Sequence, residues 1–110
     1  MSSSEGVDAA RLFAALGDPT RLGLIARLSD GRARSIGTMG EGLAISRQAV
    51  AKHLEVLAGA GLVRRTRSGR EVHFTLEREA VHAARHWLDQ VGAQWDGTLD
   101  RLKHLAENEP

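Results

Sequence analysis

The chain of 110 residues contains no cysteine. That excludes disulfides, thiolate metal sites and cysteine nucleophiles. No segment approaches the roughly 20 consecutive apolar residues that a membrane-spanning helix requires. The opening MSSSEGVDAARL lacks a basic start followed by an apolar run, so no signal peptide is expected there. A cytoplasmic, nucleoid-associated location and no membrane partner are the corresponding expectations. Catalytic signatures are missing too: the chain has no G-x-S-x-G, Walker loop, H-E-x-x-H or dinucleotide fingerprint. An enzyme is therefore not expected.

What is present is an ordinary soluble composition, 42% hydrophobic and 26% charged. The length suits one domain with a single modest core. The net charge of +1 conceals an uneven distribution. Between Arg47 and His73 there are six Arg or Lys against two Glu, and from Glu77 onward four against seven Asp or Glu. A basic centre beside an acidic C-terminal part points to a localised anionic partner.

The small polar residues 1–7 predict a disordered tail. A short helix is expected from Asp8 to Leu16, with Leu12, Phe13 and Leu16 on one face and Gly17 as its stop. Asp18 and Pro19 suit the cap and first position of a second helix, with Leu22, Ile25 and Leu28 as its buried stripe. Ser35 suits the cap of a third helix, Ile36 to about Leu43, weakened by Gly37, Gly40 and Gly42. A tight Leu-Ala-Ile link then leads to a fourth helix over 46–58. Its Val50, Leu54 and Leu57 point inward, and Gln48, Lys52 and Glu55 lie on the opposite face. Strands are predicted at Leu62 to Thr66 and Glu71 to Leu76, turning at Ser68-Gly69. The core with its ribbon thus spans 8–76.

Residues 77–106 read as one long helix, split in two if Gly92 or Gly97 breaks it. Val81, Ala84, Leu88, Val91, Trp95, Leu99, Leu102 and Leu105 recur every three or four residues. This stripe exceeds what a small core needs, and a second copy of the chain is the expected partner.

Two short helices with a serine cap on the second match a helix-turn-helix. Gln pairs well with adenine and Arg with guanine in the major groove. Arg64, Arg65, Arg67 and Arg70 fall within seven residues of the hairpin that follows. Arg65 and Arg67 share one face of such a ribbon, and its tip suits phosphates or the minor groove. The plain alternatives are an αα-corner with a solvated face and an edge strand protected by charge. Helix and basic ribbon together favour double-stranded DNA as the partner.

The segments Phe13–Leu22 (FAALGDPTRL), Ile45–Leu54 (ISRQAVAKHL) and Ala60–Val63 (AGLV) resemble the ArsR family of bacterial winged helix-turn-helix repressors. The resemblance covers roughly Leu12 to Leu88 and implies a mostly α (α+β) fold with a two-stranded wing. It further implies a homodimer built on the first and last helices, bound to an inverted-repeat operator until a signal releases it. Carried over by position, Ser46, Arg47, Gln48, Lys52 and His53 are reading-helix contacts, and Arg67 and Arg70 are wing contacts, with Arg65 beside them. Leu12, Leu16, Leu88, Val91, Trp95, Leu99 and Leu102 are the implied dimer face. Ala51 stands where many relatives have serine, and Met39 and glycines stand where metal-sensing relatives place cysteines.

No cofactor is expected. A histidine site remains as an alternative, because His82 and His86 lie one turn apart, flanked by Glu79 and Asp89, and could serve zinc or nickel. Their spacing does not match the Asp-x-His and later His-x-x-His or His-x-x-Glu pairs of metal-sensing relatives. Trp87 and Trp95 suit interface packing, with an apolar effector pocket as the alternative; the residues specify no particular effector. The expected protein is a dimeric DNA-binding regulator, most simply a repressor. The rivals are a zinc- or nickel-responsive repressor and a winged-helix protein-interaction module.

Overall fold

Three side-chain caps start three helices in the computed structural model, which describes residues 2–107 and the side chains from residue 9 onward. The Asp18 carboxylate accepts the Arg21 N–H at 3.1 Å and opens α2 (Pro19–Arg27). Ser35 Oγ accepts the Thr38 N–H at 3.2 Å and opens α3 (Ile36–Met39). Ser46 Oγ accepts the Ala49 N–H at 3.1 Å and opens α4 (Arg47–Gly59). Each cap satisfies an N–H that the helix itself leaves unpaired. Before them lies α1 (Ser2–Leu16), and β1 (Arg34–Ser35) separates α2 from α3. After them come β2 (Val63–Ser68), β3 (Glu71–Leu76) and α5 (Arg78–Glu107).

The C-terminal end of α4 has an equally definite cause. Gly61 takes φ +80° and donates its N–H to the Ala58 carbonyl at 3.0 Å. Leu62 N–H then reaches back to the Leu57 carbonyl at 2.9 Å, closing a Schellman motif. Leu57 and Leu62 are both buried, which supplies the apolar contact that accompanies this motif. The chain thereby turns directly from α4 into β2. No atom lies within 4 Å of where a Cβ on Gly61 would sit, so only the backbone resists substitution there. Gly61→Ala should cost about 1–2 kcal/mol, the penalty of left-handed backbone for a residue with a Cβ. Urea unfolding at fixed protein concentration measures it, and an unchanged midpoint at unchanged slope would contradict it.

The core gathers Leu24 from α2 and Leu28 at its C-cap, Met39 from α3, Val50, Leu54 and Leu57 from α4, Leu62 from the turn after α4, and Val63 and Phe74 from the sheet. Leu12 and Ala15 of α1 close it. The strand order is β1-β3-β2, all antiparallel. Val63, Arg65 and Arg67 pair with Leu76, Phe74 and Val72. Directly opposed residues share a face, so the side of the ribbon that carries Val63 and Phe74 at its base carries Arg65 and Arg67 further out.

Several expectations are corrected. The tail expected over residues 1–7 is helical from Ser2, and Met1 lies outside the described residues. The segment holds no proline, and extending a formed helix adds one hydrogen bond per residue. In α2 the fully buried residue is Leu24, whereas Leu22 is 52% exposed. With the helix starting at Pro19, Leu24 and Leu28 share the inner face at i, i+4 spacing. Helix α3 stops at Met39, short of Leu43, and the link to α4 is correspondingly longer than Leu-Ala-Ile. Arg27 Nη1 donates to the Met39 and Glu41 carbonyls at 2.9 and 2.6 Å, so the chain leaves the helix with these acceptors satisfied. Strand β1 makes the sheet three-stranded, and two residues are too few to show a strand period. Strand β2 runs on to Ser68, which pairs with Glu71, so the turn is Gly69-Arg70, with Gly69 at φ +63°. Gly92 and Gly97 do not divide α5, which is continuous over 30 residues.

Candidate nucleic-acid interface

The cap at Ser46 sets which residues α4 shows to solvent. With Val50, Leu54 and Leu57 buried, Ser46, Arg47, Gln48, Lys52 and Glu55 are exposed along the outer face. The N-terminal turn therefore presents one amide and one guanidinium, with the ammonium of Lys52 one turn further on. Helix N-termini also carry partial positive charge, which favours phosphate. Ala51 is half-buried and offers no hydrogen-bonding group between them.

The ribbon β2–β3 supplies the second element. Arg64 is tied to Glu77 at 3.1 Å at the ribbon base. Arg65, Arg67 and Arg70 are exposed, and among the described residues none of them forms an ion pair. His73 of β3 pairs with Glu71 at 2.8 Å across the same strand. The wing thus carries three exposed guanidiniums outside any ion pair among the described residues, with Glu71 beside Arg70 engaged by His73, a suitable set for phosphates.

His53 departs from the expected set. Its ring is turned inward, with Nδ1 3.2 Å from Arg21 Nη1 and 4.0 Å from Asp18 Oδ2. It points at the corner between α1 and α2, on the flank of α4, and is withdrawn from the exposed outer face that carries Arg47, Gln48 and Lys52. Arg21 also donates Nε to the Ala15 carbonyl and Nη2 to the Ala14 carbonyl, the last acceptors of α1. The Arg21 backbone N–H, and after it the charge of the Arg21 guanidinium, hold the Asp18 carboxyl below its ordinary range against a partly opposing desolvation. Sequence reasoning took Asp18 for a cap and passed over Arg21. The spacing of Asp18 and Arg21 was the available signal, because a carboxylate cap places the side chain three residues on beside it.

Helix α5 buries none of its side chains in the protomer. Leu88, Trp95, Leu99, Leu102 and Leu105 are each more than half exposed, while Ala80 and Ala84 pack on the core and Trp87 meets Phe13 in a tilted aromatic contact, with ring centroids 5.2 Å apart and planes at 50°. Val91 and Leu16 are half-buried. Leu12, expected on the dimer face, is only 7% exposed and belongs to the protomer core. Leu12 and Ala15, three residues apart, share the side of α1 that packs on the core. His82 and His86 are exposed on α5, and among the described residues no three His, Asp or Glu side chains converge in a metal-holding group. Among the described residues no helix is long and apolar enough to cross a membrane.

A capped helix with an exposed polar N-terminus, joined through a Schellman turn to a basic hairpin, defines a winged helix-turn-helix protein. A helix-turn-helix domain model matches residues 16–66. The chain is 42% identical over 82 residues to the HTH-type transcriptional regulator CmtR of Mycobacterium tuberculosis, covering 74% of this chain and 69% of that protein. It is 35% identical over 105 residues to the HTH-type transcriptional repressor SmtB of the same species, covering 94% and 67%. An ArsR-like transcriptional regulator from Rhodococcus sp. RHA1 superposes with a TM-score of 0.78 at 35% identity, covering 94% of this chain and 96% of that one. The chain belongs to the ArsR family of winged helix-turn-helix regulators. It is a DNA-binding transcriptional regulator and not an enzyme.

Proposed function

We propose that the protein is a homodimeric repressor, acting in the cytoplasm on nucleoid DNA, that reads an inverted-repeat operator with α4 and grips its backbone with the wing. The observation that carries this reading is the exposed start of α4 together with three exposed wing arginines that form no ion pair among the described residues. Arg47 and Gln48 are the base-reading side chains, Ser46 and Lys52 hold phosphate or a base edge, and Arg65, Arg67 and Arg70 neutralise phosphates. The unburied stripe of α5 with Leu16 supports pairing of two copies. A two-fold dimer sets two reading helices about 34 Å apart, the distance between successive major grooves. A bound metal is no part of this proposal.

Gln48→Ala tests the base-reading role. The substitution should weaken binding to a selected operator by about 10-fold or more, as one bidentate base contact does, and leave binding to random DNA unchanged. Fluorescence anisotropy on both duplexes at one salt concentration measures it. Equal losses on the two would remove Gln48 from base reading.

A further inference from the structure

We propose that His53 is a positioning residue: its neutral imidazole, held by Arg21, ties the reading helix to the end of α1 and so sets the angle at which α4 meets DNA. This deepens the reading of α4 as the DNA-reading helix and rests on it.

The chemistry of the contact fixes the state of the ring. A guanidinium has donors only, so His53 Nδ1, 3.2 Å from Arg21 Nη1, must accept. The ring is then neutral with its proton on Nε2. Each of the three guanidinium nitrogens of Arg21 has a partner in this arrangement. Nε and Nη2 hold the Ala15 and Ala14 carbonyls at the end of α1, and Nη1 holds α4 through His53. One side chain therefore joins the N-terminal helix to the reading helix, next in sequence to the exposed Lys52. In a dimer built on α1 and α5, such a tie transmits the spacing of the two protomers to the two reading helices.

The tie has a built-in release. A proton on Nδ1 removes the acceptor and sets two cations in contact. Asp18 Oδ2, at 4.0 Å, is then the natural partner of the imidazolium. Its carboxylate, held low by the Arg21 N–H, stays charged throughout the range in which imidazole titrates. The other charged groups around the ring are Arg11 from α1, Arg21 from α2, and Lys52 and Glu55 from α4 itself, lining an open cleft of about 730 Å³. The cleft gives water access to the ring and leaves it room to turn. Protonation thus exchanges the Arg21 contact for Asp18 and removes this polar tie, leaving α4 held to α1 by the apolar packing of Leu12 and Ala15 alone.

The test compares wild type, His53→Asn and His53→Leu, each checked for folding by thermal unfolding. Asparagine Oδ1 occupies roughly the place of Nδ1 and accepts at any pH; leucine cannot accept. The readout is the ratio of affinity for a selected operator over random DNA, between about pH 8 and pH 5.5, where imidazole changes charge. Wild type should lose about 10-fold of this ratio on acidification, the order of one charge-assisted hydrogen bond. His53→Asn should keep the ratio at both ends, and His53→Leu should lack it at both. His73, His82, His86 and His104 remain in all three proteins, so the difference isolates His53. Long-range ¹H–¹⁵N spectra of the free protein near pH 8 should show His53 protonated on Nε2 alone, a result independent of DNA. A Nδ1 proton there, or the same ratio and pH profile in wild type and His53→Asn, would overturn the proposal even if the wild type reads an operator. If His53→Leu does not fold, the asparagine comparison and the spectrum decide alone. A wild type that binds no DNA selectively would overturn the reading of α4 instead, and this inference with it.

Discussion

Replacing Trp95 and Leu99 together by glutamate should produce a folded protomer that no longer pairs and that binds its operator about 10²–10⁴-fold more weakly. Both side chains are more than half exposed in the protomer, at 61% and 55%, so their loss removes nothing from the core. They sit on the apolar stripe of α5, where a partner helix would bury them at about 1.5–3 kcal/mol each. Two carboxylates per protomer on that face leave charge to be buried without a counter-ion, which opposes pairing more strongly than the lost apolar area does. The penalty on DNA binding follows because one dimer engages two half-sites, and linking two modules raises affinity by about that factor. Sedimentation velocity reads the pairing and circular dichroism the fold. An unchanged sedimenting mass for the double variant would remove α5 from the interface.

The second large effect concerns the wing. Arg67→Ala with Arg70→Ala should weaken binding to every duplex tested and flatten its salt dependence. Each phosphate contact contributes about one unit to the slope of log affinity against log salt. Two arginines per wing and two wings per dimer then lower the slope by about four units, which over the decade from 1 M to 0.1 M salt amounts to about 10⁴-fold in affinity. The substitutions lie on an exposed ribbon outside the core, so stability should change little. Titrations at several salt concentrations on operator and random DNA check both parts. A loss confined to the operator would make these arginines base readers, and an unchanged slope would remove them from the interface.

Where local chemistry decides the structure, the sequence was readable. Ser46 names the start of α4 because a hydroxyl there meets a free N–H. Gly61 names its end because only glycine takes φ +80° without strain. Val50, Leu54 and Leu57 name the inner face, and with it the exposure of Arg47, Gln48 and Lys52. The parts that were not readable depend on distant partners. Strand β1 exists because Arg34 and Ser35 lie beside Phe74 and His73. Leu12 and Leu24 face the core because of how α1 and α2 pack on α4, and no helical period separates them from Phe13 or Leu22 with certainty of phase. His53 shares the flank of α4 with residues that read as DNA contacts. Only Arg21, 32 positions earlier in the chain, turns it inward.

Selection of bound duplexes from a random pool with the wild-type protein, followed by affinity measurement on the recovered sequence, tests the DNA-reading function most directly. The expected product is an inverted repeat whose half-site centres lie about 10 base pairs apart, bound by one dimer and at least about 10³-fold more tightly than random DNA at physiological salt. Recovery of no common sequence, or of a single half-site bound no better than random DNA, would contradict a two-fold dimer reading through α4.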